Sequence, residues 1–189
     1  MLAQLKNRIN TLRNWDAGYA IPPAARAKHR FLGRLAEERG HRVFIESGTL
    51  FGDTTEYMLR HCETITTVEL EPTLYEQAVR RFEGNPAVTV IYGDAIDEIP
   101  KLVAAAPHPP LVWLDGHHSG GGTAVGAVVE PAVEILRALT GVADGTTLVV
   151  DDLRMFGKGD MPSLLELVDA ASRVGPSVQV GPDNLVIRV

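Results

Sequence analysis

The chain opens with apolar residues at helical spacing. In LAQLKNRINTLRNW, Leu2, Leu5, Ile9 and Leu12 fall three or four residues apart, which predicts an amphipathic helix. Past Ala20-Ile21-Pro22-Pro23 a second helix is predicted through AARAKHRFLGRLAEERG, with Pro23 at its first position and Gly40 as its terminal cap. From Arg42 onward the texture changes to short, continuous apolar runs: VFIES (43–47), TITTVEL (64–70), VTVIYG (88–93), LVWLD (111–115) and TTLVVDD (146–152). Between them lie helical stretches: DTTEYMLRHC, a segment from Pro72 through Phe82, another from about Ala95 to Ala105, one opening at Pro131, and PSLLELVDAASRV. SVQV and LVIRV flank Gly181-Pro182-Asp183-Asn184, which predicts a terminal antiparallel hairpin.

Strands this apolar, separated by helices, imply a parallel sheet covered on both faces. Right-handed crossovers then make a doubly wound α/β sandwich. Ligands in such folds sit beyond the carboxyl ends of the strands. The residues just after Ser47, Leu70, Gly93, Leu114 and Val150 are therefore expected to hold the chemistry.

Composition narrows the classes. A chain of 189 residues supports one core, and 45% hydrophobic with 22% charged residues is an ordinary globular balance. The net charge of −6, with acids and bases interleaved, leaves no basic stripe for nucleic acid or anionic membranes. Arg26, Lys28 and Arg30 read as one solvated helix face. One cysteine, Cys62, excludes an internal disulfide framework and a cysteine zinc cage. No run approaches the roughly 18 apolar residues of a membrane span, and the start has no secretory apolar block, so a cytoplasmic location is expected.

The first strand runs into Glu46-Ser47-Gly48-Thr49-Leu50-Phe51-Gly52-Asp53-Thr54-Thr55. Its G-x-x-x-G spacing is neither the dinucleotide G-x-G-x-x-G nor a phosphate P-loop. Alone it is equally a strand-to-helix turn with Asp53 or Thr54 capping the helix. Two further motifs change that balance: Val68-Glu69-Leu70-Glu71-Pro72 after the second strand and Gly93-Asp94-Ala95 after the third. Together with Glu46-x-Gly48-x-x-x-Gly52-x-Thr54 they resemble, in order and spacing, class I S-adenosylmethionine-dependent methyltransferases over roughly residues 40 to 189. That resemblance implies a mostly parallel, seven-stranded Rossmann-like sheet ending in an antiparallel hairpin. It implies a cofactor-binding domain over 41–189, with residues 1–40 as a helical leader of the same domain that covers the cleft or makes a dimer contact. Glu46, Gly48, Gly52 and Thr54 would form the turn near the methionine end of the cofactor, and Glu69 would accept the ribose hydroxyls. Asp94 and the Ala95 amide would read the adenine, with Asp115 also in contact with the cofactor. Glu71 is read as first-turn charge for the helix that follows.

The fourth strand ends in Leu114-Asp115-Gly116-His117-His118 and the fifth in Val150-Asp151-Asp152. Neighbouring strands lie about 4.8 Å apart, so these acids converge if the two strands are adjacent. Clustered carboxylates with no nitrogen or sulfur partner suit a hard ion, and magnesium better than zinc. The constellation resembles the divalent-metal-dependent O-methyltransferases, including the catechol and caffeoyl-CoA types. That likeness implies Asp115, Asp151 and Asp152 as ligands to Mg2+, and a hydroxylated small-molecule substrate. The catechol branch carries a catalytic lysine three residues after the first metal aspartate; here that position is His118, leaving His118 or His117 as base beside Asp115. His29, His41, His61 and His108 are expected to be structural or exposed.

Other positions keep two readings. Residues 119–123 form a lid or a simple connector, and Arg154, Met155 and Phe156 line a substrate pocket or merely pack. Trp113 is expected in the core, while Trp15 and Tyr19 lie in the leader. The sequence thus points to a homodimeric methyltransferase that modifies a small-molecule hydroxyl with a divalent cation. Metal-independent transfer to nitrogen or carbon is the first alternative. It is disfavoured because Asp115-Gly116-His117 replaces the Asp/Asn-Pro-Pro-aromatic motif of base-directed enzymes, and His108-Pro109-Pro110 precedes the strand. A non-catalytic cofactor-binding or assembly module is the second, and a nicotinamide oxidoreductase fails on the glycine spacing.

Overall fold

A computed structural model describes residues 24–116 and 130–189 of the chain. The expected first helix, Pro23, Trp15, Tyr19, His117, His118 and the 119–123 loop lie outside the described residues.

Helix α1 (Ala25–Arg39) ends where Gly40 adopts a left-handed conformation and returns its N–H to the last turn, as its sequence position predicts. Then β1 (Val43–Ser47), α2 (Asp53–Met58), β2 (Thr64–Glu69), α3 (Pro72–Arg81), β3 (Val88–Tyr92), α4 (Ala95–Ala105) and β4 (Leu111–Leu114) alternate. They are followed by α5 (Ala132–Ala138), β5 (Thr147–Val150), a 3-10 turn (Leu153–Met155), α6 (Leu164–Val174), β6 (Ser177–Val180) and β7 (Leu185–Arg188). The sheet has seven strands in the order β3-β2-β1-β4-β5-β7-β6. The first five strands run parallel, while β7 is antiparallel to both β5 and β6.

Side-chain alternation along these strands sorts the core into two layers. Ile45, Val112, Leu114, Leu148, Val150, Leu185 and Ile187 face α4, α5 and α6, where Ile99, Val103, Val133, Leu136, Leu167 and Ala171 are buried. Phe44, Leu111, Trp113, Val149 and Val186 face the other way, toward Leu32, Leu35 and Ala36 of α1 and Met58 of α2. Trp113 is core, as expected, and the doubly wound sandwich is the predicted one.

Several local readings are corrected by the backbone. The fifth strand stops at Val150 because Asp152 turns the chain with φ near +57°. Helix α2 is opened by Gly52 in a left-handed conformation with no side-chain cap, and Asp53 pairs instead with Arg81 at 2.8 Å. Glu71 does cap α3, accepting from the Leu74 amide at 2.6 Å. His41 is buried between the Pro109 carbonyl and the Thr147 hydroxyl, each 3.0 Å away. A carbonyl only accepts, so Nδ1 carries the proton and Nε2 accepts from Thr147. Burial keeps this imidazole below its ordinary pKa, consistent with a structural histidine.

Candidate functional site

The strand order reverses between β1 and β4, the place at the carboxyl edge where an open α/β sheet forms its ligand crevice. Hydrogen bonds carry the sheet into that edge: Asp115 N–H to Ser47 O at 3.1 Å, Gly48 N–H to Val68 O at 3.2 Å and Asp151 N–H to Leu114 O at 3.0 Å. Gly48 has φ +83°, and a Cβ placed on it would come within 2.7 Å of the Asp115 carbonyl oxygen. Only glycine fits this contact between the two segments. Beside it the Ser47 hydroxyl is fully buried, with no hydrogen-bond partner among the described residues.

The sequence-predicted cofactor residues occupy this edge with different surroundings. Glu46 is buried, and its Oε2 accepts from the hydroxyls of Thr55 at 2.5 Å and Thr67 at 3.0 Å. Burial, only partly offset by these donors, pushes its carboxyl up to about 7. Thr54 Oγ1 lies 3.4 Å from His29 Nε2, and His29 in turn stacks on Tyr57. Glu69 is held by backbone amides: Oε2 accepts from Leu50 at 2.9 Å, and Oε1 from Leu70 at 3.0 Å and Glu71 at 2.9 Å. A carboxylate has about four acceptor directions, so this cage still leaves room for a ligand hydroxyl. Asp94 caps α4 by accepting from Ile96 at 2.9 Å, with Ala95 as the first helical residue.

The β4–β5 register sets Leu114 opposite Val150, so Asp115 and Asp151 follow side by side. Ligand oxygens of Asp115, Asp151 and Asp152 lie within 4.8 Å of one another. Burial raises Asp115 to about 7 against the attraction of Lys28, with Asp152, Glu46 and Glu130 adding repulsion. Burial, followed by the Asp115 charge, also lifts Asp151 well above its ordinary value. Burial opposes ionisation of Asp152 too, yet Lys28 and Arg154 outweigh it and hold that carboxyl low.

Lys28 is the correction this site makes to the sequence reading. Arg26 and Arg30 are exposed, but Lys28 is turned inward from α1. Its Nζ donates to Asp151 and, at 2.9 Å, to Asp152, with a side chain only 18% exposed. Burial would lower its pKa, but Asp115, Asp151 and Asp152 together raise it, so it stays an ammonium. The signal was available, because Lys28 precedes buried Leu32, Leu35 and Ala36 by four, seven and eight residues, on one helical stripe. Glu130 was also missed. It is buried, accepts from the Ala132 amide at 2.9 Å, and is pushed up to about 7 by burial and then by Asp152 and Asp151. An acid before Pro131 gives no sequence sign beyond an ordinary helix start.

The segment after β5 is tied down from the hairpin side. Arg154 donates to Asp152 at 2.6 Å and to Asp183, whose other oxygen accepts the Arg154 amide at 3.0 Å. Phe156 packs into the core instead of lining a pocket. A separate groove of about 320 Å³ opens between α1 and the β6–β7 hairpin, lined by Phe31, Arg34, Glu38, Gln179, Asn184 and Arg188. It contains none of the sequence-predicted site residues.

Three acidic oxygens on one side of a crevice are a donor set that fits a hard divalent ion, and the orphaned Ser47 hydroxyl and glycine-tight turn fit a ligand lying against β1. No family model matches the chain, and no curated protein matches it. Solved structures do. The O-methyltransferase TomG from Streptomyces achromogenes, in complex with S-adenosylmethionine, is 20% identical over 99% of this chain and 89% of its own, with a TM-score of 0.55. An O-methyltransferase from Bacillus cereus bound to S-adenosylhomocysteine is 17% identical over 95% and 88%, with a TM-score of 0.60. The S-adenosylhomocysteine-bound methyltransferase PaMTH1 from Podospora anserina is 13% identical over 98% and 87%, with a TM-score of 0.61. The fold is the Rossmann-like one these methyltransferases share. Among the described residues, no helix is long and apolar enough to cross a membrane.

Proposed function

We propose that this protein transfers a methyl group from S-adenosylmethionine to a hydroxyl of a small molecule, at the crevice between β1 and β4. The observation that carries the reading is the convergence at one sheet edge of the Gly48 turn against Asp115, the Glu69 carboxylate and the Asp94 cap. Gly48 lets the methionine end of the donor lie against the backbone, with the Ser47 hydroxyl within that turn. Glu69 receives a ribose hydroxyl on the lone pair its amide cage leaves, and Asp94 with the Ala95 amide faces the adenine. Glu46 acts from beneath: its bonds to Thr55 and Thr67 fix α2 and β2 around the turn.

Asp115, Asp151 and Asp152 would hold a divalent cation such as Mg2+, whose chemistry is to lower the pKa of an acceptor hydroxyl and fix its oxygen. The acceptor O–H gives its proton to His117 or His118, which directly follow Gly116. The oxygen then forms a bond to the methyl carbon as the carbon–sulfur bond breaks, leaving a methyl ether and S-adenosylhomocysteine. Orientation of the two reactants supplies much of the rate.

Calorimetry with S-adenosylmethionine and S-adenosylhomocysteine tests the reading. Micromolar binding of both, lost in Glu69→Ala, is the expected result, and a folded protein that binds neither refutes it. Methylation of hydroxylated acceptors that survives a chelator would remove the cation while keeping the transferase.

A further inference from the structure

We propose that Lys28 is a tethered counter-cation of the β4–β5 carboxylates, and that a divalent ion enters the cluster only by displacing its ammonium. This rests on the cation part of the proposed function. Three facts carry it. Lys28 donates to both Asp151 and Asp152, the two acids that directly follow β5. Its backbone is fixed close by, because Leu32, one turn onward, is fully buried against the sheet. Asp152 also receives Arg154 at 2.6 Å, so positive charge already reaches it from two sides.

An ion coordinated at about 2.1 Å by oxygens of these acids and an ammonium hydrogen-bonded to the same carboxylates need the same space. They also repel each other across a short, poorly screened distance. The cluster therefore has two mutually exclusive fillings. One is the side chain of α1, whose ammonium is shared between Asp151 and Asp152. The other is a divalent ion, which requires Lys28 to swing out. Ion loading is thereby linked to the position of the first turns of α1, the element that packs on this face of the sheet.

The test is Mn2+ titration of the full-length protein by calorimetry, compared among wild type, Lys28→Met and Lys28→Arg. Removing one charge-assisted competitor is expected to tighten Mn2+ binding by about tenfold to a hundredfold in Lys28→Met, whereas Lys28→Arg stays as weak as wild type. Thermal melts provide a second readout: without metal Lys28→Met melts below wild type, and Mn2+ restores it more than it raises wild type. Equal Mn2+ affinity in wild type and Lys28→Met overturns the proposal, as does Lys28→Arg binding as tightly as Lys28→Met. S-adenosylhomocysteine titrations of the same variants keep the two readings apart. If the homocysteine ligand binds but no variant binds Mn2+, the competition is wrong and the transferase reading stands. If Lys28→Met alone gains Mn2+ and none binds the ligand, the competition stands and the transferase reading falls.

Discussion

Replacing Gly48 by alanine is the sharpest perturbation of the crevice, and Gly40→Ala is its natural control. Both glycines have positive φ, +83° and +67°, so both substitutions impose left-handed backbone on an L residue. That costs about 1–2 kcal/mol, offset by roughly 0.4–1 kcal/mol from a less flexible unfolded chain. At Gly40 a Cβ meets nothing within 4 Å, so about 1 kcal/mol of destabilisation is the whole effect. For a chain of this length that lowers Tm by roughly 2–4 °C. At Gly48 the new Cβ also lies 2.7 Å from the Asp115 carbonyl oxygen and 3.1 Å from Gly116 Cα. Both neighbours are backbone at the ends of packed strands, so relief needs β1 and β4 to part by a few tenths of an ångström or more. Overpacking of this kind adds about 1–3 kcal/mol, for a total near 3 kcal/mol and a Tm lower by about 6–12 °C. Calorimetric melts read the stability difference. Titration with S-adenosylhomocysteine reads the site, where Gly48→Ala is expected to bind at least tenfold more weakly and Gly40→Ala within twofold of wild type. Equal Tm shifts in the two variants would refute the close-approach argument, and unchanged ligand affinity in Gly48→Ala would refute its placement in the binding turn.

Further outcomes follow from the buried charges. Glu46 titrates near 7 when folded against an ordinary 4.5, so protonation favours the folded state. Its stabilising effect is full below about pH 4.5 and is lost as pH rises to 7, amounting to about 3 kcal/mol. Urea titrations across that window are expected to show wild type losing that much more stability than Glu46→Gln; parallel curves would exclude it. Arg154→Met strips a largely buried partner from Asp152 and Asp183 and is expected to cost about 3 kcal/mol in urea unfolding, with no loss if the network is incidental. Ser163→Ala removes a capping box at α6 that shares no hydrogen bond with the proposed site residues, so about 1 kcal/mol of stability is lost while S-adenosylhomocysteine affinity is unchanged.

Strand and helix order were legible because the β-runs are short and rich in apolar or β-branched residues, and because Pro72, Asp94 and Ser163 mark helix starts chemically. The meeting of Asp115 with Asp151 and Asp152 was legible only on the condition that β4 and β5 are neighbours, and the sheet order meets that condition. Lys28 was not legible to the same reasoning. A lysine between two arginines looks solvated, and only its helical phase relative to Leu32 and Leu35 shows that it points inward. Glu130 and Asp183 were hidden for another reason. Their burial depends on contacts with β5 and its following turn, across separations in sequence that no local pattern records. Glu69 was found as a site, but that the distant Leu50 amide joins those of Leu70 and Glu71 in gripping it depends on the turn conformation of Leu50, at φ +49°.

The position of β7 between β5 and β6 makes the attachment of β6 to the sheet conditional on β7. Strand β6 is earlier in the chain, yet its one neighbour in the sheet is β7, and β5 keeps an open edge until β7 arrives. The parallel strands β1, β2 and β4 can pair without either hairpin strand. In a refolding experiment with pulsed amide exchange, the amides of β6 and β7 are therefore expected to gain protection together, as one unit. The outer edge of β5, and with it the turn that aims Asp151 and Asp152, sets in the same step.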